Sequence, residues 1–374
     1  MQKDKQHLID QLMDNKEKIK VLSEGGYIRP LLNEIYFDKT IEKIDNSSIE
    51  ELQWGKWPPL YLFICQKSIS EIKEFENDLN LVINFSNSKN ISRTTNFLKA
   101  EDYSDWFAGI FEIHIKSRLL KENNLKVDLD FLLPNGREID IRMDMSGKPF
   151  CLECTMIRDS DEDKEVWDRF IEAKKVDPNT SLCRPGSFDP ENPKGPSYAY
   201  NCLRFYDKVY DKLTMEFDPT KSQVCDSSPN LLLISFYTPN SHLSPTDTGV
   251  GWALGELFEA QPIIGQRKGI YQSKLEDISL TKWLHFKEEE LIKQSRRRNY
   301  FPAAIFNELI AAPRKIGGVL LFEYCSFETA RINYNANEQN RISHNEMANL
   351  EKLFRSPPVW FDHQLIKMKT SLRN

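Results

Sequence analysis

Carboxylates recur at alternate positions along two neighbouring segments of the chain, an arrangement that can hold a metal ion. Asp140 lies between two isoleucines in Arg137–Asp144, and Glu153 lies between a leucine and a cysteine in Phe150–Met156. Strict alternation of polar and apolar residues over this length is typical of a half-buried β-strand. A Met-Ser-Gly-Lys loop joins the two segments, and its four residues predict a β-hairpin.

The register of this hairpin decides whether the two acids meet. Counting outward from the loop gives two apolar pairs, Met143–Phe150 and Ile141–Leu152. The next pair is Asp140 with Glu153, and like charges directly opposite each other destabilise a sheet. A bound metal ion or a raised pKa would offset that repulsion. An ordinary solvated face of an antiparallel sheet gives the same pattern, so both interpretations stay open at this point.

A third acid precedes the hairpin in the alternating segment Lys126–Leu133. Pro134-Asn135-Gly136 follows it, and these residue types suit a three-residue hairpin that contains a bulge. The preferred register pairs apolar residues, Phe131 with Ile139 and Leu129 with Ile141. This register places Asp130 beside Asp140. The three strands would then present Asp130, Asp140 and Glu153 on one face of the sheet.

Composition and charge exclude several classes of protein. The chain has 374 residues, of which 40% are hydrophobic and 28% charged, and this length suggests roughly two domains. Its net charge of −6 argues against a uniformly basic surface that would bind nucleic acid. Its N-terminus has no apolar signal region, and its longest apolar runs, such as 231–237, are too short to cross a bilayer. Seven scattered cysteines show no disulfide framework. We therefore expect a cytoplasmic protein with no membrane partner.

The best local candidate for phosphate contacts is a basic stretch late in the chain. Arg296, Arg297 and Arg298 are followed by Tyr300 and Phe301. A local basic groove on an acidic protein is compatible with nucleic-acid binding. A solvated helix end explains the same charges equally well.

Two further patterns favour a packing role over metal binding. Cys151 and Cys154 form a C-x-x-C, but in a strand their thiols point to opposite faces, and no second pair has zinc-site spacing. His114 lies two residues after Glu112 on a predicted helix, so the two side chains diverge. We expect His114 to be a surface histidine or one with satisfied hydrogen bonds.

The remaining elements predict a mixed central β-sheet flanked by helices, an α/β (α+β) fold. We predict a mostly helical N-terminal region at 1–98, a core at 99–325 with a loop insertion at 176–197, and a C-terminal helical extension at 326–374. The main predicted elements are two buried strands, at 230–237 and 316–322, and helices at 103–121, 165–175, 198–217, 252–260, 286–298, 302–311 and 343–354.

This order of elements resembles the PD-(D/E)XK nuclease superfamily, which has the restriction-endonuclease-like fold. The resemblance covers roughly residues 100–325 and depends on Glu112, Asp140 and Glu153-Cys154-Thr155. It implies that Asp140, Glu153 and the backbone carbonyl of Cys154 bind the metal, with Glu112 as an outer or second-metal ligand. Asp130 is a further supporting acid that only the hairpin register predicts. Hard oxygen ligands with open positions suit Mg²⁺ or Mn²⁺, and such ions can activate water for phosphodiester hydrolysis.

The chain departs from the family pattern at Thr155, where the family usually has lysine. A threonine hydroxyl cannot supply a positive charge beside the attacking water. In this family the lysine can migrate to the following helix, and the chain has two candidates. Lys174 lies on the inner stripe of its predicted helix, and Lys212 lies on the flank of the 198–217 helix. We favour Lys212 slightly, because its helix directly precedes a buried strand.

The resemblance implies a metal-dependent endonuclease that acts on DNA, and analogy alone suggests a role in restriction or anti-phage defence. The alternative is a nuclease-like fold that has lost its cation and binds only nucleic acid or protein. A third alternative is a structural protein with a solvated acidic face. The sequence leaves open whether the chain forms a homodimer or binds a partner protein.

Overall fold

Six β-strands form one sheet, in which each strand lies beside its neighbours in the sequence. The strands of this computed structural model are β1 (Lys126–Leu132), β2 (Glu138–Met145), β3 (Lys148–Arg158), β4 (Asn230–Tyr237), β5 (Ile316–Glu323) and β6 (Ser326–Ile332). Their order in the sheet is β1-β2-β3-β4-β5-β6. The pairs β2–β3 and β5–β6 are antiparallel, and the pairs β3–β4 and β4–β5 are parallel. A mixed sheet flanked by helices is therefore confirmed.

The structure describes residues 2–21, 26–32, 34–48, 59–177, 179–182, 201–202, 204–205, 208–209, 212, 222–258, 315–334 and 336–361. Ten α-helices are defined within these ranges. They are α1 (Gln2–Lys20), α2 (Ile28–Leu31), α3 (Glu34–Asn46), α4 (Pro59–Gln66), α5 (Ile69–Phe85), α6 (Ser88–Leu98), α7 (Tyr103–Leu120), α8 (Asp161–Val176), α9 (Thr248–Phe258) and α10 (His344–Phe354). Within these ranges, no helix has the length and apolar character needed to cross a membrane.

The chain divides into two compact units, 1–130 with 356–374, and 131–355. This division falls later than the predicted boundary at 98–99. Strand β6 lies inside the range that we assigned to a helical extension, so the sequence pattern missed it. The predicted helices at 286–298 and 302–311 and most of the loop at 176–197 lie outside the described residues.

The first unit is helical and is organised around aromatic side chains. The rings of Phe63 and Phe75 lie 5.0 Å apart, and Trp360 packs 4.9 Å from Phe75. Trp360 also donates its indole N–H to Asp78 Oδ2 at 2.8 Å. Within this unit Asp102 caps the N-terminus of α7, and its carboxylate accepts backbone N–H groups of the first turn.

Both predicted hairpins are present, and the turn residues explain their registers. In the first, Gly136 donates to the Leu133 carbonyl and has φ +77°, and Leu133 donates to the Arg137 carbonyl, which confirms a three-residue turn with a left-handed glycine. In the second, Met145 pairs with Lys148. The loop proper therefore has two residues, and our four-residue loop is corrected.

The second hairpin is a two-residue turn with positive φ at both central positions. Ser146 has φ 57° and Gly147 has φ 82°, which matches the type I′ turn that suits the twist of antiparallel strands. Asp144 Oδ1 accepts the Gly147 N–H at 2.8 Å and holds the turn. The predicted pairs Met143–Phe150 and Ile141–Leu152 are both confirmed.

One face of the sheet in the second unit is covered by two helical segments. Cys202, Phe205 and Val209, from the helical residues described between 201 and 212, pack against β3, β4 and β5 together with α9. The strand residues that they contact are Ile157, Leu232, Ile234, Phe236, Ile316, Val319 and Leu321. Because alternate residues of a strand share a face, Glu153 and Thr155 lie on the same face of β3 as Ile157.

Candidate active site

Asp140 lies where the regular pairing of β2 with β3 ends. The last regular pair is Ile141 with Leu152, and beyond it Asp140 Oδ2 accepts the backbone N–H of Cys154 at 2.8 Å. The predicted pair of Asp140 with Glu153 would thus be the next pair after the last regular one. At this point the Asp140 carboxylate, and not a backbone carbonyl of β2, accepts the N–H from β3. This bond fixes the orientation of the Asp140 side chain beside β3.

Glu153 forms an ion pair with Lys212 across the two layers of this unit. Lys212 Nζ lies 2.8 Å from Glu153 Oε1, and the two side chains are 18% and 11% exposed. The low exposure means that solvent screens this pair less than a surface pair. The cation that Thr155 cannot supply is therefore present at Glu153, on a side chain from the helical segment that covers the sheet.

Gln223 holds this ion pair from the loop before β4. Its Oε1 lies 3.4 Å from Lys212 Nζ, and its Nε2 donates to the Glu138 carbonyl at 3.0 Å. Gln223 thus links the lysine to the backbone of β2. Sequence reasoning missed it, because neither a motif nor a periodic pattern marks a loop glutamine.

A small pocket adjoins the ion pair. Glu153, Lys212 and Gln223 line it together with a mainly apolar set: Ile139, Val224, Asn230, Leu231, Leu232 and Ile316. The apolar walls lower the local dielectric, which strengthens the electrostatic interactions of the charged side chains.

Thr155 and Lys174, the two other predicted catalytic residues, lie at different places relative to this ion pair. Thr155 lies two residues beyond Glu153 on β3, partly buried and paired with Ile234 of β4. Lys174 lies on α8, and its ammonium is 5.7 Å from the centre of the Phe170 ring. Of the two predicted lysines, Lys212 contacts Glu153, whereas Lys174 covers an aromatic ring.

Glu112 and Asp130 belong to a charge cluster in the first unit. Glu112 forms an ion pair with Arg93, and Lys116 Nζ lies 3.6 Å from Glu112 and 3.2 Å from Asp130. Asp130 also accepts the Asn87 N–H at 3.2 Å. Lys116 and Asp130 have side chains only 2% exposed, so their charges are balanced inside the unit.

The backbone of Asp130 departs from the strand geometry on which our register depended. Its φ is 53°, in the left-handed region that few residues other than glycine adopt. Regular alternation therefore does not extend through this residue, and the argument that placed Asp130 on one face with Asp140 and Glu153 loses its basis. Metal binding by Glu112 and by Asp130 stays a prediction.

His114 is buried, which corrects our expectation of a surface histidine. It is fully buried on α7, and its Nε2 has no hydrogen-bond partner among the described residues. Burial lowers the pKa of His114 to about 3, because the interior penalises the charged form. The residue is a neutral core histidine whose ring lies 6.4 Å from Trp360.

The donor set of the site suits a hard divalent ion better than zinc. Within the described ranges, no three or more His, Cys, Asp or Glu side chains group closely enough to hold a metal. Asp140, Glu153 and the Cys154 carbonyl would supply only oxygen ligands, and Mg²⁺ is commonly held by one or two carboxylates with water in its other positions. Oxygen donors are the type that Mg²⁺ or Mn²⁺ prefers, and metal binding by Asp140, Glu153 and Cys154 stays a prediction.

Comparison of the chain with protein-family models, with curated proteins and with solved structures found no significant match. The three predicted phosphate-binding residues, Arg296, Arg297 and Arg298, lie outside the described residues.

Proposed function

We propose that this chain is a metal-dependent nuclease that hydrolyses phosphodiester bonds in DNA. The observation that carries the proposal is the contact between Lys212 and Glu153, 2.8 Å apart on the sheet face that also holds Thr155. The family that the sequence resembles requires a cation at this place, and Lys212 supplies one from outside the strand motif. Analogy alone suggests that such an activity would serve in restriction or anti-phage defence.

Each residue of the site has a separate role in this proposal. Asp140 and Glu153 bind the divalent ion, with the Cys154 carbonyl completing the protein ligands. When bound, the ion supplies an activated water and neutralises charge that develops on the phosphate. Lys212 orients the attacking water and stabilises the negative charge that it acquires. Gln223 holds the lysine in place, since it bonds both Lys212 and the backbone of β2.

A cleavage assay tests this proposal directly. The full chain is incubated with plasmid, linear and single-stranded DNA, in Mg²⁺, in Mn²⁺ and in EDTA. We expect cleavage that needs the divalent ion and that Asp140→Asn and Glu153→Gln both abolish. Asp161→Asn is the matched control, because its side chain is 94% exposed on α8. Cleavage by either site variant at the wild-type rate would contradict the assignment.

The second candidate is a nuclease-like fold that binds nucleic acid or protein without cleaving it. It is favoured by Thr155 and by the fact that Lys212 already neutralises Glu153. Cleavage separates the two candidates fully, whereas divalent-ion binding separates them only in part. Binding of DNA with no cleavage of any substrate in either metal would favour this second candidate.

A further inference from the structure

Two cysteines far apart in the sequence meet beside β3. Cys151 on β3 is fully buried, and Cys225, in the loop before β4, is partly exposed and packs against it. Cys225 thus lies against the apolar cluster that Cys151 forms with Leu133 and Ile139. The partner of Cys151 is therefore Cys225, 74 residues away, and not the Cys154 of the C-x-x-C pattern.

The backbone on both sides of this pair is held by hydrogen bonds. Asn230 Oδ1 accepts the Cys225 N–H at 2.7 Å, and Asn230 Nδ2 donates to the Cys225 carbonyl at 2.8 Å. Asn230 is also the β4 residue that pairs with Cys151, and Cys151 donates its N–H to the Pro229 carbonyl at 2.9 Å. One asparagine thus fixes the loop over the strand and keeps Cys225 beside Cys151.

The sulfur atom of Cys225 lies among hydrogen-bond donors. Besides the Cys151 thiol, it is approached by the Ser227 hydroxyl at 3.5 Å, the Ser227 N–H and the Ser228 hydroxyl. The bond from Cys151 and these other donors hold the pKa of Cys225 well below its usual value. The same contact and burial raise the pKa of Cys151. The Cys225 thiol is therefore the one that solvent reaches, and the Cys151 thiol is buried.

We propose that Cys225 and Cys151 are an oxidation site that a peroxide converts into an intramolecular disulfide. The Cys225 thiolate attacks one peroxide oxygen and the O–O bond breaks, so the sulfur becomes a sulfenic acid and hydroxide leaves. The hydroxide takes up the proton that the Cys225 thiol had released and becomes the first water. Cys151 then loses its proton and attacks that sulfur, and the S–OH bond breaks to release a second water. Two thiols lose two electrons and two protons, and hydrogen peroxide is reduced to two waters. The inference does not depend on nuclease activity.

Cys225 is the thiol that reacts with peroxide in this proposal, because reactive cysteines combine a low pKa with exposure to solvent. Cys65 offers a matched comparison, since it is also partly exposed but burial raises its pKa. Cys325 is fully buried with a raised pKa and serves as an inert reference. Selective oxidation at Cys225 would thus reflect its donors and not exposure alone.

The test maps thiols in the full wild-type chain by mass spectrometry. The protein is treated with graded hydrogen peroxide, blocked with iodoacetamide and digested without reductant. We expect a cross-linked peptide that joins Cys151 to Cys225, which appears before any oxidation of Cys65 or Cys325 and disappears in dithiothreitol. Without peroxide, Cys225 should be alkylated at pH 6 at least about tenfold faster than Cys65, because the thiolate is the reacting form.

Two variants separate the steps. In Cys151→Ala, oxidation should stop at a Cys225 sulfenic acid that dimedone traps, and in Cys225→Ser, Cys151 should stay reduced. If wild-type Cys225 is alkylated no faster than Cys65, or if peroxide yields no link between Cys151 and Cys225, the pair has only a packing role. These wild-type measurements decide the matter even if either variant fails to fold.

Discussion

Lys212 Nζ lies 2.8 Å from Glu153 Oε1, although 59 residues separate the two in the chain. Glu153 is on the strand that follows the hairpin, and Lys212 is on the helical segment that covers the same face of the sheet. This contact joins a carboxylate proposed to bind metal to the cation proposed to act on the attacking water.

Replacement of Lys212 should therefore lower the cleavage rate and leave the affinity for the metal ion unchanged. We expect Lys212→Ala to lower the cleavage rate about 100-fold, because loss of one charge-stabilising group at a reacting centre costs about 10²–10³ in kcat. Affinity for Mg²⁺, measured by calorimetry, should persist. Lys174→Ala is the matched control and should cleave near the wild-type rate, since Lys174 contacts Phe170. Normal cleavage by both variants would show that the site works without a migrated lysine.

The ion pair should also contribute to stability in the absence of metal. Glu153→Gln leaves the half-buried Lys212 charge without its partner, so we expect a lower melting temperature and not the gain that relief of acid–acid repulsion would give. A double-mutant cycle with Lys212→Met should show a coupling energy of about 0.5–3 kcal/mol in urea unfolding. Strictly additive effects of the two substitutions would mean that the pair contributes nothing to folding.

The sequence predicts the strands of the site because alternation is a local property of the chain. The register of β2 with β3 follows from the apolar pairs nearest the turn, and a one-residue slip would move Ile141 and Met143 off the buried face. The length of the loop was wrong because the turn depends on Ser146 adopting a left-handed conformation. A serine at that position gives no strong signal, unlike the glycine that follows it.

The rest of the site depends on contacts between residues distant in sequence. Gln223 and Cys225 acquire their partners only when their loop closes over β2 and β3. Buried charges were also missed: Lys116 is 2% exposed beside Glu112, although its i, i+4 spacing from Glu112 was visible in the sequence. Periodicity predicted the helix, but not that almost every side of it would be covered.

The basic stretch at 296–298 should contact phosphates if the chain binds DNA. Neutralising Arg296, Arg297 and Arg298 to glutamine should weaken binding similarly for all sequences. The dependence of log Kd on log salt should flatten by about one unit for each phosphate that an arginine no longer neutralises. Arg169→Gln, an exposed arginine on α8, is the control. An unchanged affinity together with an unchanged salt slope would remove this stretch from the binding surface.

His114 should make the first unit sensitive to acid. Its folded-state pKa is lowered to about 3 by burial, whereas an unfolded histidine titrates near about 6.5. Between these values the unfolded chain binds more protons than the folded chain, so the free energy of unfolding is greatest above pH 6.5 and decreases as the pH falls towards 3. His114→Phe keeps a ring beside Trp360 and removes the titration. We expect urea unfolding, followed by tryptophan fluorescence from pH 4.5 to 7, to show a smaller loss of stability in this variant, because only its carboxylates still respond to acid. Equal losses in the two proteins would show that His114 is already protonated, or accessible to water, in the folded state.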